Sequence, residues 1–206
     1  MKLYKKVFST FLIMLCVWNF YGFSNEDNTF TDITEVKDFY LKNVDGKYFS
    51  LNSFPEAKGF IVIFTCNQCP FAKLYTGRMN DLNSKYKDSG IPLIAINSTD
   101  TLLFDENNYS SCVKFAKERN FNFPYLSDPS QLTAKDFGAQ KTPHAFIIWK
   151  ENNAWVIKYS GGIDDNAAEP EKVTNHYLAD AVDELLSGKN VTNTETKSIG
   201  CKIIYR

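Results

Sequence analysis

Histidine is nearly absent from this sequence: His144 and His176 are the 2 in 206 residues. A metal centre built on a histidine cluster is therefore excluded, and a zinc site would need its ligands from cysteines. Cysteines number 5, too few for a small scaffold stapled by disulfides. Neither sign of charge is in excess: 23 basic and 24 acidic residues leave a formal net charge of -1. Nothing in that balance favours nucleic acid as a partner. No internal repeat is visible, and no apolar run reaches the ~20 residues that span a bilayer. The chain does have 44% hydrophobic and 15% aromatic residues, the composition of a globular domain long enough to bury a core without staples.

The first residues follow a different logic. Lys2, Lys5 and Lys6 precede an apolar run from Val7 to about Phe20, and Gly22 and Ser24 are small residues placed for a cleavage after Ser24. A basic start, a short apolar core and a small-residue exit describe a secretory signal over residues 1–24. The alternative is a membrane anchor made by residues 7–20. Lipidation at Cys16 is disfavoured by Met14 and Leu15 beside it. Export, to a bacterial periplasm, is the expectation, with no stable membrane insertion after cleavage. The remaining cysteines are Cys66, Cys69, Cys112 and Cys201.

Residues 25–190 read as one domain, with 191–206 as a C-terminal extension packing on it. Asp38–Leu51 has the pattern of a hairpin around Asp45-Gly46. Phe60–Phe64 and Ile91–Ile96 are continuous apolar runs, as strands covered on both faces require. Phe71, Tyr75, Met79, Leu82 and Tyr86 recur at helical spacing, predicting one helix from near Cys69 to before Gly90. Tyr109, Cys112, Val113 and Ala116 mark a second helix face, and Gln131–Phe137 a short helix stopped by Gly138. Ala145–Trp149 and Ala154–Tyr159 read as paired strands. Leu178, Ala181, Val182 and Leu185 give a last helix, and Ile199–Tyr205 a terminal strand. The order predicts an α/β fold with a mixed central sheet and helices on both faces.

The chemistry lies in Thr65-Cys66-Asn67-Gln68-Cys69-Pro70, directly after the strand Phe60–Phe64. A thiol attacks only as its thiolate, and a free cysteine, with a pKa of about 8.5, is mostly protonated at neutral pH. The start of a helix presents unpaired N–H groups and the positive end of its dipole. Cys66 is expected there, ionised and the more exposed of the two, with Cys69 a turn further in, more buried and protonated. Attack by Cys66 on a disulfide, followed by release of the mixed intermediate by Cys69, is the mechanism that follows. Structural zinc would need a second cysteine pair or a Cys/His set, which the lone Cys112, Cys201, His144 and His176 do not supply.

Thr142-Pro143 precedes the strand Ala145–Trp149 and either simply opens it or forms a cis-proline loop facing the cysteines, with the Thr142 backbone free to pair with a substrate chain. An apolar strand, Cys-x-x-Cys opening a helix and a later Thr-Pro before a hairpin together resemble the thioredoxin superfamily. The segment from about Asn97 to Phe123 and the N-terminal hairpin are similar to its redoxin branch, the AhpC/TSA and peroxiredoxin-like proteins. Phe64-Thr65-Cys66-Asn67-Gln68-Cys69-Pro70-Phe71-Ala72-Lys73, Phe123-Pro124-Tyr125-Leu126, Gly162-Ile163-Asp164-Asp165-Asn166 and Gly200-Cys201 resemble an uncharacterised group within it that carries Cys-x-x-Cys-Pro. The resemblance spans nearly all of residues 36–206. It implies a thioredoxin-like fold with a redoxin-type insertion, a cis Pro143, catalytic Cys66 and Cys69, and a substrate groove at Thr142 and Pro143. The implied activity is thiol–disulfide exchange with protein or small-molecule thiols and disulfides, served by a redox donor protein and needing no cofactor and no metal.

Three accessory positions are marked by this resemblance. Thr65 stands where thioredoxins carry an aromatic residue, and Phe60–Phe64 lacks the acid of their strand. Peroxiredoxins carry Thr-x-x-Cys; Cys69 takes that cysteine's place and Cys66 replaces the threonine, which weighs against a peroxidase. Copper-carrying relatives use two cysteines and a histidine, which makes His144 a candidate third ligand, although their cysteines are spaced one residue wider. Cys201 is a third redox thiol if the terminal strand packs under the active-site end, and otherwise a buried, inert side chain. Cys112, on an apolar helix face, reads as a small buried hydrophobe.

Overall fold

A computed structural model describes residues 35–206. The expected signal over 1–24 and the polar residues after it lie outside the described residues. Strands β1 Glu35–Val36, β2 Leu41–Asn43, β3 Tyr48–Phe49 and β4 Gly59–Thr65 lead to helices α1 Pro70–Leu74 and α2 Thr76–Tyr86. Then follow β5 Leu93–Asn97, α3 Tyr109–Glu118, β6 Tyr125–Ser127, α4 Leu132–Phe137, β7 Lys141–Thr142, β8 His144–Glu151, β9 Ala154–Gly161, α5 Tyr177–Leu186 and β10 Cys201–Lys202.

Eight strands form one mixed sheet in the order β1-β9-β8-β4-β5-β6-β2-β3. At its centre β4 pairs in parallel with β5 and antiparallel with β8. Every residue of β4 is buried, because both faces of the sheet are covered. Side chains alternate across a strand, so Ile61 and Ile63 enter one apolar cluster while Phe60, Val62 and Phe64 enter another. The first cluster is closed by Met79 of α2, Phe115 of α3 and Leu178 and Val182 of α5. The second is closed by Phe137 of α4, by Val36, Phe39 and Leu51 near the N-terminal end, and by Ile203 after β10. Helices therefore lie on both faces, as expected. The hairpin β2–β3 turns at Gly46, whose φ is +87°, and extends the sheet by pairing β2 with β6.

Two local expectations change. The helix after the cysteines is broken at Tyr75, whose N–H bonds the carbonyl three residues back, on Ala72, at 3.2 Å. That tighter turn swings the Tyr75 hydroxyl to donate to Asp164 at 2.8 Å, while the Arg78 guanidinium stacks on the Tyr75 ring and pairs with Asp164 at 2.6 Å. Arg78 thus pins the loop around Asp164 to α2. The terminal strand is shorter than Ile199–Tyr205 and does not join the main sheet: β10 pairs antiparallel with β7, Cys201 opposite Thr142.

Candidate active site

The site gathers where β4 ends. Pro70 is the first residue of α1 and Cys69 its N-cap, since a proline fits the one position where no backbone donor is needed. The helix therefore begins near Cys69, as the spacing predicts, and Cys69, not Cys66, is its N-cap. Both residues are nearly buried, Cys66 at 7% and Cys69 at 3% exposure, so Cys66 is only marginally the more accessible. Cys66 and Cys69 line a cleft of about 240 Å³ with Thr142, Cys201, Phe104 and Ile204. The described cysteines are all free thiols.

The loop between the cysteines is tied down by Asn67, which the sequence offers only as a neutral spacer. Its backbone N–H donates to Asn107 Oδ1 at 2.9 Å, and its Nδ2 to the Glu106 carbonyl at 2.9 Å. Its Oδ1 accepts from the Tyr125 hydroxyl at 2.8 Å. Asn97 Nδ2 joins Asn107 Oδ1 and the Tyr125 hydroxyl at 3.0 and 3.1 Å. Asn67, Asn97, Asn107 and Tyr125 are all buried, and buried polar groups are stable only when bonded in this way. The inserted segment thus serves as a brace beneath the thiol pair. Cys112 lies in the same pocket, accepting from Asn97 Nδ2 at 3.3 Å, with its pKa raised chiefly by burial.

The two thiols are electrostatically coupled. The Cys69 pKa is lowered, first by hydrogen bonding with the Cys66 thiol, and further by the Cys201 thiol and the N–H groups of Ala72 and Cys201. Burial opposes this. Cys66 is raised by the same bond and by burial, against the Thr142 hydroxyl at 3.2 Å and the Cys69 N–H at 3.3 Å. The two thiols titrate as one unit that loses its first proton readily and holds the second. When protonated, Cys69 donates instead to the Thr142 carbonyl at 3.0 Å.

The Thr142–Pro143 peptide bond is cis. Thr142 lines the cleft, but its outer backbone edge is occupied by β10, where a substrate chain was expected. Ser198 Oγ donates to the Pro143 carbonyl at 3.1 Å, and Gly200 passes against the Thr142–Pro143 peptide. Cys201 is partly exposed and packs against the cysteine pair, its N–H donating to Cys69 Sγ at 3.3 Å. Thr65 is buried opposite Asn97 at the end of β4 and does not line the cleft.

His144 is directed away from the thiols. It shares the face of Phe146, ring to ring at 4.4 Å; its Nδ1 accepts from the Gln140 N–H at 3.2 Å, and its Nε2 pairs with Ser160 Oγ at 3.1 Å. Both nitrogens are engaged, so the copper set of two cysteines and a histidine is not assembled. Burial, aided by Lys141, pushes its pKa down from 6.5 to about 4. Between those values the unfolded chain binds a proton that the folded chain refuses, so stability rises with pH in that window and is lost as pH falls from about 6.5 to about 4. Denaturant midpoints measured over that range should fall more steeply for the wild type than for His144→Asn, which lacks the titrating ring.

Residues 34–161 match the AhpC/TSA family. Among solved structures, a hypothetical protein from Sinorhizobium meliloti 1021 is similar at 34% identity and a TM-score of 0.77, over 84% of this chain and 94% of that one. An uncharacterized conserved protein from Geobacillus kaustophilus is similar at 32% and 0.76, over 84% and 90%. A curated relative, thiol-disulfide oxidoreductase ResA of Bacillus thuringiensis subsp. konkukian, is 27% identical over 117 residues, 57% of this chain. The match spans 63% of that relative's length. With the thioredoxin-like sheet and the thiol pair at the end of β4, the chain belongs to the AhpC/TSA family, in the redoxin branch of the thioredoxin superfamily.

Proposed function

We propose that this chain is an exported thiol–disulfide oxidoreductase that exchanges disulfides through Cys66 and Cys69. One observation carries the reading: two cysteines three positions apart lie at the start of a helix inside a cleft, the Cys69 N–H donating to Cys66 Sγ at 3.3 Å and Thr142 contacting both sulfurs. The name of the ResA relative supports it. The reaction follows from the shared proton. As Cys66 attacks a substrate disulfide, its proton passes to the Cys69 thiolate, and one substrate thiolate leaves. That leaving thiolate takes the proton back, and the restored Cys69 thiolate attacks Cys66 Sγ, releasing the second substrate sulfur. One disulfide is reduced, one Cys66–Cys69 disulfide forms, and charge and protons balance. No strand acid is needed, because the partner thiol is the base.

Substrates are proteins or small molecules bearing disulfides, bound in the cleft beside Thr142 and Pro143, and a redox donor protein restores the dithiol. Export to a bacterial periplasm rests on residues 1–24, with the anchor over 7–20 as the alternative. No described helix is long and apolar enough to cross a membrane. Reduction of insulin disulfides by a thiol donor should be accelerated by the wild type and not by Cys66→Ser; equal rates would end the reading. A second reading, a thiol peroxidase, is favoured by the lowered pKa of Cys69 at the N-cap of α1. Peroxide consumption with a thiol donor separates the two: a peroxidase turns over peroxide faster than free cysteine does, and an exchange protein does not.

A further inference from the structure

We propose that Cys201 is a second disulfide partner of Cys69, so that oxidation of the buried pair is passed to the C-terminal strand and presented there to a thiol reductant. The proposal rests on the reading of Cys66–Cys69 as a redox pair and goes beyond it.

Three observations support it. Cys66, Cys69 and Cys201 pack as one group with Ala72, and the Cys201 N–H is 3.3 Å from Cys69 Sγ. Pairing of β10 with β7 sets Cys201 opposite Thr142, the residue whose carbonyl and hydroxyl contact both sulfurs of the pair. The chain's own strand thus occupies the edge where an extended substrate would pair, and it brings a thiol to Cys69. Finally, Cys201 is partly exposed whereas Cys66 and Cys69 are buried, so of the three it offers the readiest access to a bulky donor.

The step moves a disulfide without net oxidation. The Cys201 thiolate attacks Cys69 Sγ of the Cys66–Cys69 disulfide; the Cys69–Cys201 bond forms, the Cys66–Cys69 bond breaks, and Cys66 leaves as thiolate and takes up the proton Cys201 has lost. An external thiol then attacks Cys201 and frees Cys69. The timing is set by charge. In the reduced protein the Cys201 pKa is held above the ordinary thiol range, by burial first, then by its hydrogen bond to Cys69 and by the Cys69 charge. Once Cys69 is in a disulfide, both contributions from Cys69 disappear, and Cys201 ionises more readily only in the oxidised protein.

The test is peptide mapping by mass spectrometry under non-reducing conditions, after diamide oxidation of the full chain. Cys66→Ser should give an intramolecular Cys69–Cys201 link in monomeric protein. The wild type should give both Cys66–Cys69 and Cys69–Cys201 links, and Cys201→Ser only Cys66–Cys69, with its reduction by glutathione slowed roughly tenfold. Formation of Cys66–Cys69 in the wild type with no Cys69–Cys201 link in either wild type or Cys66→Ser would overturn the relay and leave the proposed function standing. Absence of the Cys66–Cys69 link from the wild type would instead overturn the proposed function. The wild-type map decides the matter even if Cys66→Ser fails to fold.

Discussion

Cys66→Ser and Cys69→Ser should fail in different ways, and the difference reads out the mechanism. With Cys66 replaced, no sulfur is positioned to be resolved by Cys69 along the pair, and protein-disulfide reduction should fall by roughly a thousandfold or more, the loss expected when the group that bonds the substrate is removed. With Cys69 replaced, Cys66 loses the neighbouring thiol that takes its proton as it attacks. Attack then slows by about tenfold to a hundredfold, but the mixed disulfide that does form has no nearby thiol to release it. Cys69→Ser should therefore accumulate a covalent substrate adduct, visible as a mass shift that dithiothreitol removes, while Cys66→Ser accumulates none with Cys201 also replaced. Adducts on both single variants in that background, at equal rate, would mean that the thiols act independently and that the shared proton has no role.

A single methyl group at Gly200 should loosen the C-terminal strand. A Cβ there would stand well inside van der Waals contact of the Thr142 carbonyl and 3.1 Å from Pro143 N. These are backbone atoms, so no side-chain rotation relieves the overlap and β10 must move away from β7. Gly200→Ala is expected to cost about 1–3 kcal/mol, the range for overpacking a close contact, and to raise the alkylation rate of Cys69 by uncovering its side of the cleft. Gly77→Ala is the control of opposite sign. Nothing lies within 4 Å of a Cβ added at Gly77 in α2, and alanine in a helix is favoured over glycine by roughly 0.5–1 kcal/mol. Urea midpoints for the two variants should move in opposite directions. A Gly200→Ala midpoint equal to wild type would show that the strand does not sit against Thr142 in solution.

The parts of this fold that can be read from sequence are those where local pattern and tertiary context agree. The run Phe60–Phe64 is unbroken because β4 is covered on both faces, and Asp45-Gly46 marks a turn because Gly46 adopts a positive φ. The helix break at Tyr75 left no trace, since Tyr75 itself satisfies the spacing from Phe71 to Met79, while the Asp164 its hydroxyl bonds lies far along the chain. The helix start near Cys69 was legible, but not which sulfur caps it: Pro70 at the first helical position makes Cys69 the N-cap. Strand alternation also carried a usable signal for His144, which shares a face with Phe146 and so turns from the thiols toward the second cluster. The brace of Asn67, Asn97, Asn107 and Tyr125 was not legible, because asparagines in loops look solvated until the fold buries them together. Nor was the pairing of Cys201 with Thr142, which depends on a two-residue strand with no hydrophobic period to announce it.

The account stands on one sulfur being anionic because another lends it a proton. The direct measurement is a pH titration of the reduced protein, following thiolate absorbance and identifying by mass spectrometry which cysteine is alkylated at each pH. One thiolate per chain, held by the Cys66–Cys69 pair and persisting on acidification well below the ordinary thiol range, is the predicted result, with Cys66→Ala shifting that transition upward. Titration of Cys66 and Cys69 together in the ordinary range, near pH 8.5, would contradict it.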